Sequence, residues 1–405
     1  MIRAALLLVA MLATGCEFGG PNAPHGYPQD DALAVGAFHG VEMTNTADYM
    51  FNRSTKQLQG VWIWGVYCGA GDQQVGYDER AARWYAVSNS YNGVGPCLAV
   101  SQTADPMNGP WNVYILSNQG GDQPTVGWNS DIIVVTDAFG GGTTSYVVDK
   151  ADAIAGNPVN IVWTRQGFET KAARPGQSIM SYAYAVERGA NDSNIFVWRF
   201  NGRPPNTRIQ RAAINVPQFF SPGPFQEGQA TLVTPPELQA AAINVQGNRL
   251  FAAVEDGPGA SIRVFEIAGI DSFSWPPFLA GSSLFTAPGV TLQTAALLGD
   301  WNQPDLLWVG MECSAPWMPL SLCMGTRRNG NYGGQGVAVV KGGQYFYGRP
   351  GETNLRTCDF ITATRDWLFP QFGYLFGCVS LDGTNLNSWN LQFGATCSLN
   401  TRTCQ

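Results

Sequence analysis

Short apolar runs recur along this chain, divided by Gly, Asp, Asn and Pro. The pattern is clearest over residues 71–164, where one unit is written twice. Gly71-Asp72-Gln73-Gln74-Val75-Gly76-Tyr77 opens the first copy; Gly121-Asp122-Gln123-Pro124-Thr125-Val126-Gly127-Trp128, one residue longer, opens the second. Three more apolar runs follow in each copy, at 83–88, 97–101 and 111–116 and then at 131–136, 144–149 and 159–164. Runs this short and this regularly spaced predict strands, and about four strands in a period of about 50 residues predict the blade of a β-propeller.

The same reading extends in both directions. Residues 35–64 form an incomplete first blade, with strands at 39–44, 48–52 and 58–64; Val61 and Ile63 take one face of the last and Trp62 and Trp64 the other. A third repeat begins near Ala173, with runs at 178–186, 194–200 and 207–216, and a proline-rich connector follows at 217–236. Leu238-Gln239-Ala240-Ala241-Ala242 and Leu292-Gln293-Thr294-Ala295-Ala296 are matched openings of two further repeats, the second carrying a long loop over 312–336. A last repeat runs from near Cys358 through 360–363, 374–379 and 388–393. The sum is an all-β propeller of seven four-stranded blades, or six if the chain ends share one. Two incomplete terminal repeats predict that N- and C-terminal segments pair to close the ring, since open sheet edges invite aggregation. A linear solenoid of strands is the alternative.

Composition agrees with this picture. Among 405 residues there are 48 Gly and 25 Pro, only 13% are charged and 12% are aromatic, a chain of turns and strands rather than long helices. The formal net charge of −7 argues against nucleic acid as a partner, because phosphate binding needs clustered Lys and Arg. Lysines occur only at Lys56, Lys150, Lys171 and Lys341, so no polybasic membrane patch is expected.

The N-terminus has its own logic. Arg3 precedes an apolar run over 4–13, too short to span a bilayer as a helix. Leu12-Ala13-Thr14-Gly15-Cys16 resembles a bacterial lipoprotein box, with its leucine one place early. The resemblance implies cleavage after Gly15 and lipidation of Cys16, and Glu17 after it implies the outer membrane; an ordinary secretory signal is the competing reading. Residues 16–31, rich in Gly, Pro and acid, read as a flexible tether. The expected division is therefore a leader at 1–15, a tether at 16–31 and one propeller domain at 32–405.

Setting Cys16 aside leaves Cys68, Cys97, Cys313, Cys323, Cys358, Cys378, Cys397 and Cys404. An even number in an exported chain implies disulfides. Connectivity stays open, and nearest neighbours are the simplest pairing: 68 with 97, 313 with 323, 358 with 378 and 397 with 404. No Cys-x-x-Cys occurs and the histidines are only His25 and His39, so neither a metal site nor a cofactor is expected.

Two resemblances bear on function. Ser101-Gln102-Thr103-Ala104-Asp105-Pro106-Met107-Asn108-Gly109-Pro110-Trp111 resembles the Asp-box turn of sialidase-like propellers, though longer than usual and present once. More widely, Gly71-Asp72 with Tyr77-Asp78 and Arg83-Trp84, Cys97-Leu98-Ala99-Val100-Ser101 with Asp105-Pro106, and Val147-Val148-Asp149-Lys150 resemble a group of exported bacterial β-propeller proteins, mostly uncharacterised. That resemblance implies the fold and leaves the activity open.

The residues themselves supply no catalytic constellation: no Ser-His-Asp set can be assembled and no phosphate loop occurs. Asp72 and Asp122 are expected at equivalent places on one mouth of the central channel, with Arg174 and Arg356 near the starts of other inner strands, as a candidate ligand rim. Gly-Asp turn chemistry is the plainer role for the two acids. Trp301 and Trp317 are the loop aromatics best suited to contact. The expected function is a lipid-anchored envelope module that binds a protein or glycan without catalysis; a sialidase-like carbohydrate-active enzyme is the alternative.

Overall fold

The computed structural model describes residues 15–19 and 32–404, apart from scattered short stretches of which 343–354 is the longest. It is a β-propeller of seven four-stranded antiparallel blades. The first six follow one another: 32–62, 74–115, 122–166, 170–215, 238–285 and 291–341. In each, the chain enters at the innermost strand and steps outward, as in the second blade: Gln74–Asp78, Arg83–Asn89, Pro96–Ser101 and Trp111–Ile115. The seventh blade takes three strands from the C-terminal region, Thr362–Arg365, Phe372–Ser380 and Leu386–Gly394. Its outer strand comes from the N-terminus: Gly15–Gly19 pairs antiparallel with Leu386–Gly394, Cys16 opposite Gln392. The ring is thus seven blades, not six, and it closes by pairing the chain ends as expected.

The packing explains the sequence pattern. A middle strand of a blade has a neighbouring blade on each side, so both of its faces must be apolar. Trp84 and Ala86 face the first blade while Tyr85 and Val87 face the third. Ile133 and Val135 pack against the second blade, Ile132 and Val134 against the fourth. Seven clusters of buried side chains result, one per junction, with Leu33, Val35 and Phe51 of the first blade meeting Tyr374 and Phe376 of the seventh. Each large side chain so buried contributes about 1.5–3 kcal/mol.

The inner strands obey a different constraint. They converge on one axis, where space is short, and they use small residues. A Cβ on Gly127 would lie 2.5 Å from the carbonyl oxygen of Ala173 in the next blade. Ala34, Ala172, Ala241, Ala296 and Ala363 occupy the same inner layer.

Several expectations change. The first blade is complete, because Ala32–Val35 is its inner strand. The fourth begins with Thr170–Ala172, ahead of the run where a repeat was expected, and that run supplies the second strand, Ala183–Arg188. Residues 312–336 are not a long loop: Leu306–Ala315 and Met318–Arg328 form a long hairpin in which Met311, Cys313, Leu320 and Leu322 are buried. A short helix, Lys150–Ala155, interrupts the third blade; Asp149 caps it by accepting from the amides of Ala151 and Asp152, and Gly156 ends it at φ 75°. Cys68 is bonded to Cys97 and Cys313 to Cys323, as nearest-neighbour pairing predicts. Cys378 is disulfide-bonded, its expected partner Cys358 lying outside the described residues. Cys397 and Cys404 stand opposite in a two-stranded hairpin.

Candidate functional site

Each inner strand starts at one face of the ring, here the near face, and ends at the other, the far face. On the far face a side chain turns the chain into the second strand. Asp78, Asn129, Asn244, Asp300 and Asp366 each present Oδ1 to amides two to five residues ahead; Ile132 donates to Asn129 at 2.9 Å, Arg249 to Asn244 at 3.0 Å and Gln303 to Asp300 at 2.8 Å. Two of these acids also tie blades together. Asp78, fully buried, accepts from the Tyr85 hydroxyl at 2.9 Å and pairs with Lys150 of the third blade. Asp366 accepts from Arg53 of the first blade at 2.7 Å and from the Tyr374 hydroxyl at 3.3 Å. The seventh and first blades are thereby joined by an ion pair as well as by packing.

On the near face lie the acids singled out by the sequence. Asp72 sits at φ 52°, and its Oδ2 accepts from the Asn89 side chain at 2.9 Å and from the backbone amide of Gln123 at 3.1 Å. It therefore fastens the second blade to the start of the third. The residue that repeats its left-handed backbone is Gln123, at φ 51°, because the inserted residue shifts the second copy by one. Asp122 is exposed beside it. Both stand near Asp137, a residue the sequence reading passed over. Asp137 is 2% exposed, and burial pushes its carboxyl up to about 8, with the charges of Asp122 and Asp72 adding to the rise. The same device recurs elsewhere: Glu255 accepts from the amide of Thr294 in the next blade at 3.2 Å, and Glu169 from that of Leu238 at 3.2 Å. These acids are first of all fasteners between blades.

The axial channel holds the more distinctive chemistry. Arg174 follows the inner strand of the fourth blade and extends across the axis. Its guanidinium donates to the side chain of Gln74 at 3.1 Å and, over longer contacts of 3.4–3.5 Å, to the carbonyls of Val75, Leu33 and Ala363. It reaches the first, second and seventh blades at once and divides the channel into near and far halves, lining both. Arg365, at the end of the seventh blade's inner strand, reaches back and donates to the carbonyl of Gly176 at 2.8 Å. Burial pushes Arg174 down to about 10 and Arg365 down to about 9, the latter shift opposed in part by Glu79; both stay charged at neutral pH. Lys171 lines the near half, where it donates to Gln123 at 2.9 Å and pairs with Glu169 at 3.2 Å. The walls of both halves contain no carboxylate among the described residues.

Of the expected rim, then, Asp72 and Asp122 share the near face and Arg174 lies inside the channel. Arg356 is elsewhere: Leu355–Arg356 pairs with Ala230–Val233 in a small side sheet outside the blades. Arg365 was missed, although Thr362-Ala363-Thr364-Arg365 and Lys171-Ala172-Ala173-Arg174 share a signal, a run of small inner-strand residues ending in Arg. The Asp105 turn is local, with its carboxylate accepting from the amides of Met107 and Asn108 at 2.9 and 3.3 Å. Trp317 is 66% exposed at the tip of the long hairpin; Trp301 lies outside the described residues. Phe38 and Leu368, 65% and 53% exposed, project from neighbouring far-face turns on either side of the Arg53–Asp366 pair.

No family model matches the chain, and no curated protein does. Solved structures do resemble it in fold. A protein of unknown function from Dyadobacter fermentans is 9% identical, with 94% of this chain and 99% of that one covered and a TM-score of 0.39. A protein from Lactobacillus plantarum is 11% identical, covering 70% and 80%, at 0.43. Hsv2 of Kluyveromyces lactis is 12% identical, covering 92% and 99%, at 0.44. Likenesses at this level concern the fold alone.

Proposed function

We propose that this protein is an exported, lipid-anchored β-propeller that displays a binding surface for a protein or glycan in the bacterial cell envelope, without catalysing a reaction. The observation that carries the reading is the place of Cys16. It belongs to the strand Gly15–Gly19 at the outer edge of the seventh blade. Cleavage before Cys16 would leave Cys16 to Gly19 available for pairing, and a lipid on Cys16 would hold the ring by its rim. The disulfides at Cys68–Cys97 and Cys313–Cys323 support an oxidising destination. Phe38 and Leu368 offer a pair of exposed apolar contacts on the far face. The near-face acid Asp72 already holds the second and third blades together, which favours binding over acid–base chemistry there.

The test is metabolic labelling with a lipid precursor, with fractionation of the full chain and of Cys16→Ser. Wild type should label and sediment with membranes; the variant should lose the label and be recovered in the soluble fraction. Equal labelling of the two would refute the anchor.

A further inference from the structure

Two arginines meet in the far half of the axial cavity from opposite sides of the ring. Arg174 leaves the fourth blade and reaches the carbonyl of Ala363 in the seventh; Arg365 leaves the seventh and reaches the carbonyl of Gly176 in the fourth. Both arginines line a small cavity of about 50 Å³ that opens to solvent. Its remaining wall is largely apolar, with Tyr77, Trp128 and Leu297 as well as Gly76, Gly176 and Gly299 among the lining. Four acceptors face Arg174, all neutral, and three of them stand at 3.4–3.5 Å, beyond the usual hydrogen-bond range. Among the described residues no carboxylate forms an ion pair with it. A guanidinium removed from water with only weak neutral acceptors is costly, and the cost falls when an anion shares the site. Two buried arginines elsewhere have acids, Arg327 pairing with Glu266 and Arg53 with Asp366, while buried Arg199 lies over the rings of Tyr182 and Trp275 and donates to Gln210. The chain as a whole carries a net charge of −7, yet no carboxylate is among the described residues that line this cavity, although the charge of Glu79 reaches Arg365.

We infer that the far half of the channel is a binding site for a small oxyanion, a carboxylate, sulfate or phosphate group held between the guanidinia of Arg174 and Arg365. Planar guanidinium forks match such groups in a bidentate way. This site does not depend on the lipid anchor or on a ligand at the rim.

The test is calorimetric titration of the purified full chain with acetate, sulfate and inorganic phosphate at matched ionic strength. At least one should bind saturably, and Arg174→Gln and Arg365→Gln should each weaken it tenfold or more. The three salts distinguish a carboxylate site from a site for a tetrahedral anion. No saturable binding of any of them, or binding equal in wild type and both variants, would overturn the inference. Should either variant fail to fold, crystals of wild type soaked in selenate decide: anomalous density between the two guanidinia supports the site, and density only elsewhere overturns it.

Discussion

The carboxyl of Asp137 feels the charges of Asp122 and Asp72 at the near face, and burial keeps its proton on to about pH 8. In the unfolded chain it would ionise near pH 3.9. Between those values the native state holds a proton that the unfolded chain has lost. Its contribution is therefore most favourable below about pH 4 and declines as the pH rises towards 8. Asp137→Asn should remove that decline and stabilise the protein by on the order of a few kcal/mol near pH 8, with little change near pH 4. Urea unfolding at several pH values checks this; parallel pH profiles would contradict it. Gly127 makes a steric demand instead. A methyl group there would meet the Ala173 carbonyl at 2.5 Å, and backbone yields poorly. Gly127→Ala should cost about 1–3 kcal/mol, read from the same denaturation experiment.

At the scale of the strand, much was legible because burial on two sides leaves continuous apolar runs such as Trp84-Tyr85-Ala86-Val87 and Ile132-Ile133-Val134-Val135. What escaped has physical reasons. Inner strands such as Ala32–Val35 and Thr170–Ala172 are short and built of small residues, so they lack the bulk that marks a strand. The Leu306–Arg328 hairpin hides behind Pro316 and two cysteines, which suit a loop as well as a turn. The repeated Gly-Asp-Gln suggests equivalent acids, but the insertion before Thr125 moves Gln123 into the place of Asp72. A truer marker is the Asp or Asn that ends an inner strand, at 78, 129, 244, 300 and 366. Replacing Asn244 with Ala should cost about 1 kcal/mol by freeing the amides of Asn248 and Arg249. The Cys68–Cys97 bridge, whose Cα atoms are 5.4 Å apart, ties the link between two blades to the body of the second. Replacing both with Ser should lower stability by about 2–4 kcal/mol, measured by thermal unfolding under non-reducing conditions.

At the scale of the ring, seven similar blades make seven similar junctions, and stability depends on all of them being present. Six are joined by direct continuation of the chain. The seventh depends on non-local contacts: packing of Leu33, Val35 and Phe51 on Tyr374 and Phe376, the Arg53–Asp366 pair, and the strand Gly15–Gly19 laid along Leu386–Gly394. The closing strand was hidden in the sequence because it occupies the junction of the leader-like run and the Gly- and Pro-rich stretch, where glycine and a lone Phe18 give no strand pattern. The axial site was half visible: Arg174 was singled out, but its partner Arg365 becomes recognisable only when the fourth and seventh blades face each other across the axis.

Closure by the N-terminal strand is the claim on which the architecture rests, and a pair of truncations tests it directly. Deleting residues 1–14 should leave the closing strand intact, with slow amide hydrogen exchange across residues 386–394 and a single cooperative unfolding transition. Deleting residues 1–19 should expose the edge of Leu386–Gly394, speed exchange there by at least tenfold and lower the unfolding midpoint. Equal protection of residues 386–394 in the two truncations would contradict closure by Gly15–Gly19.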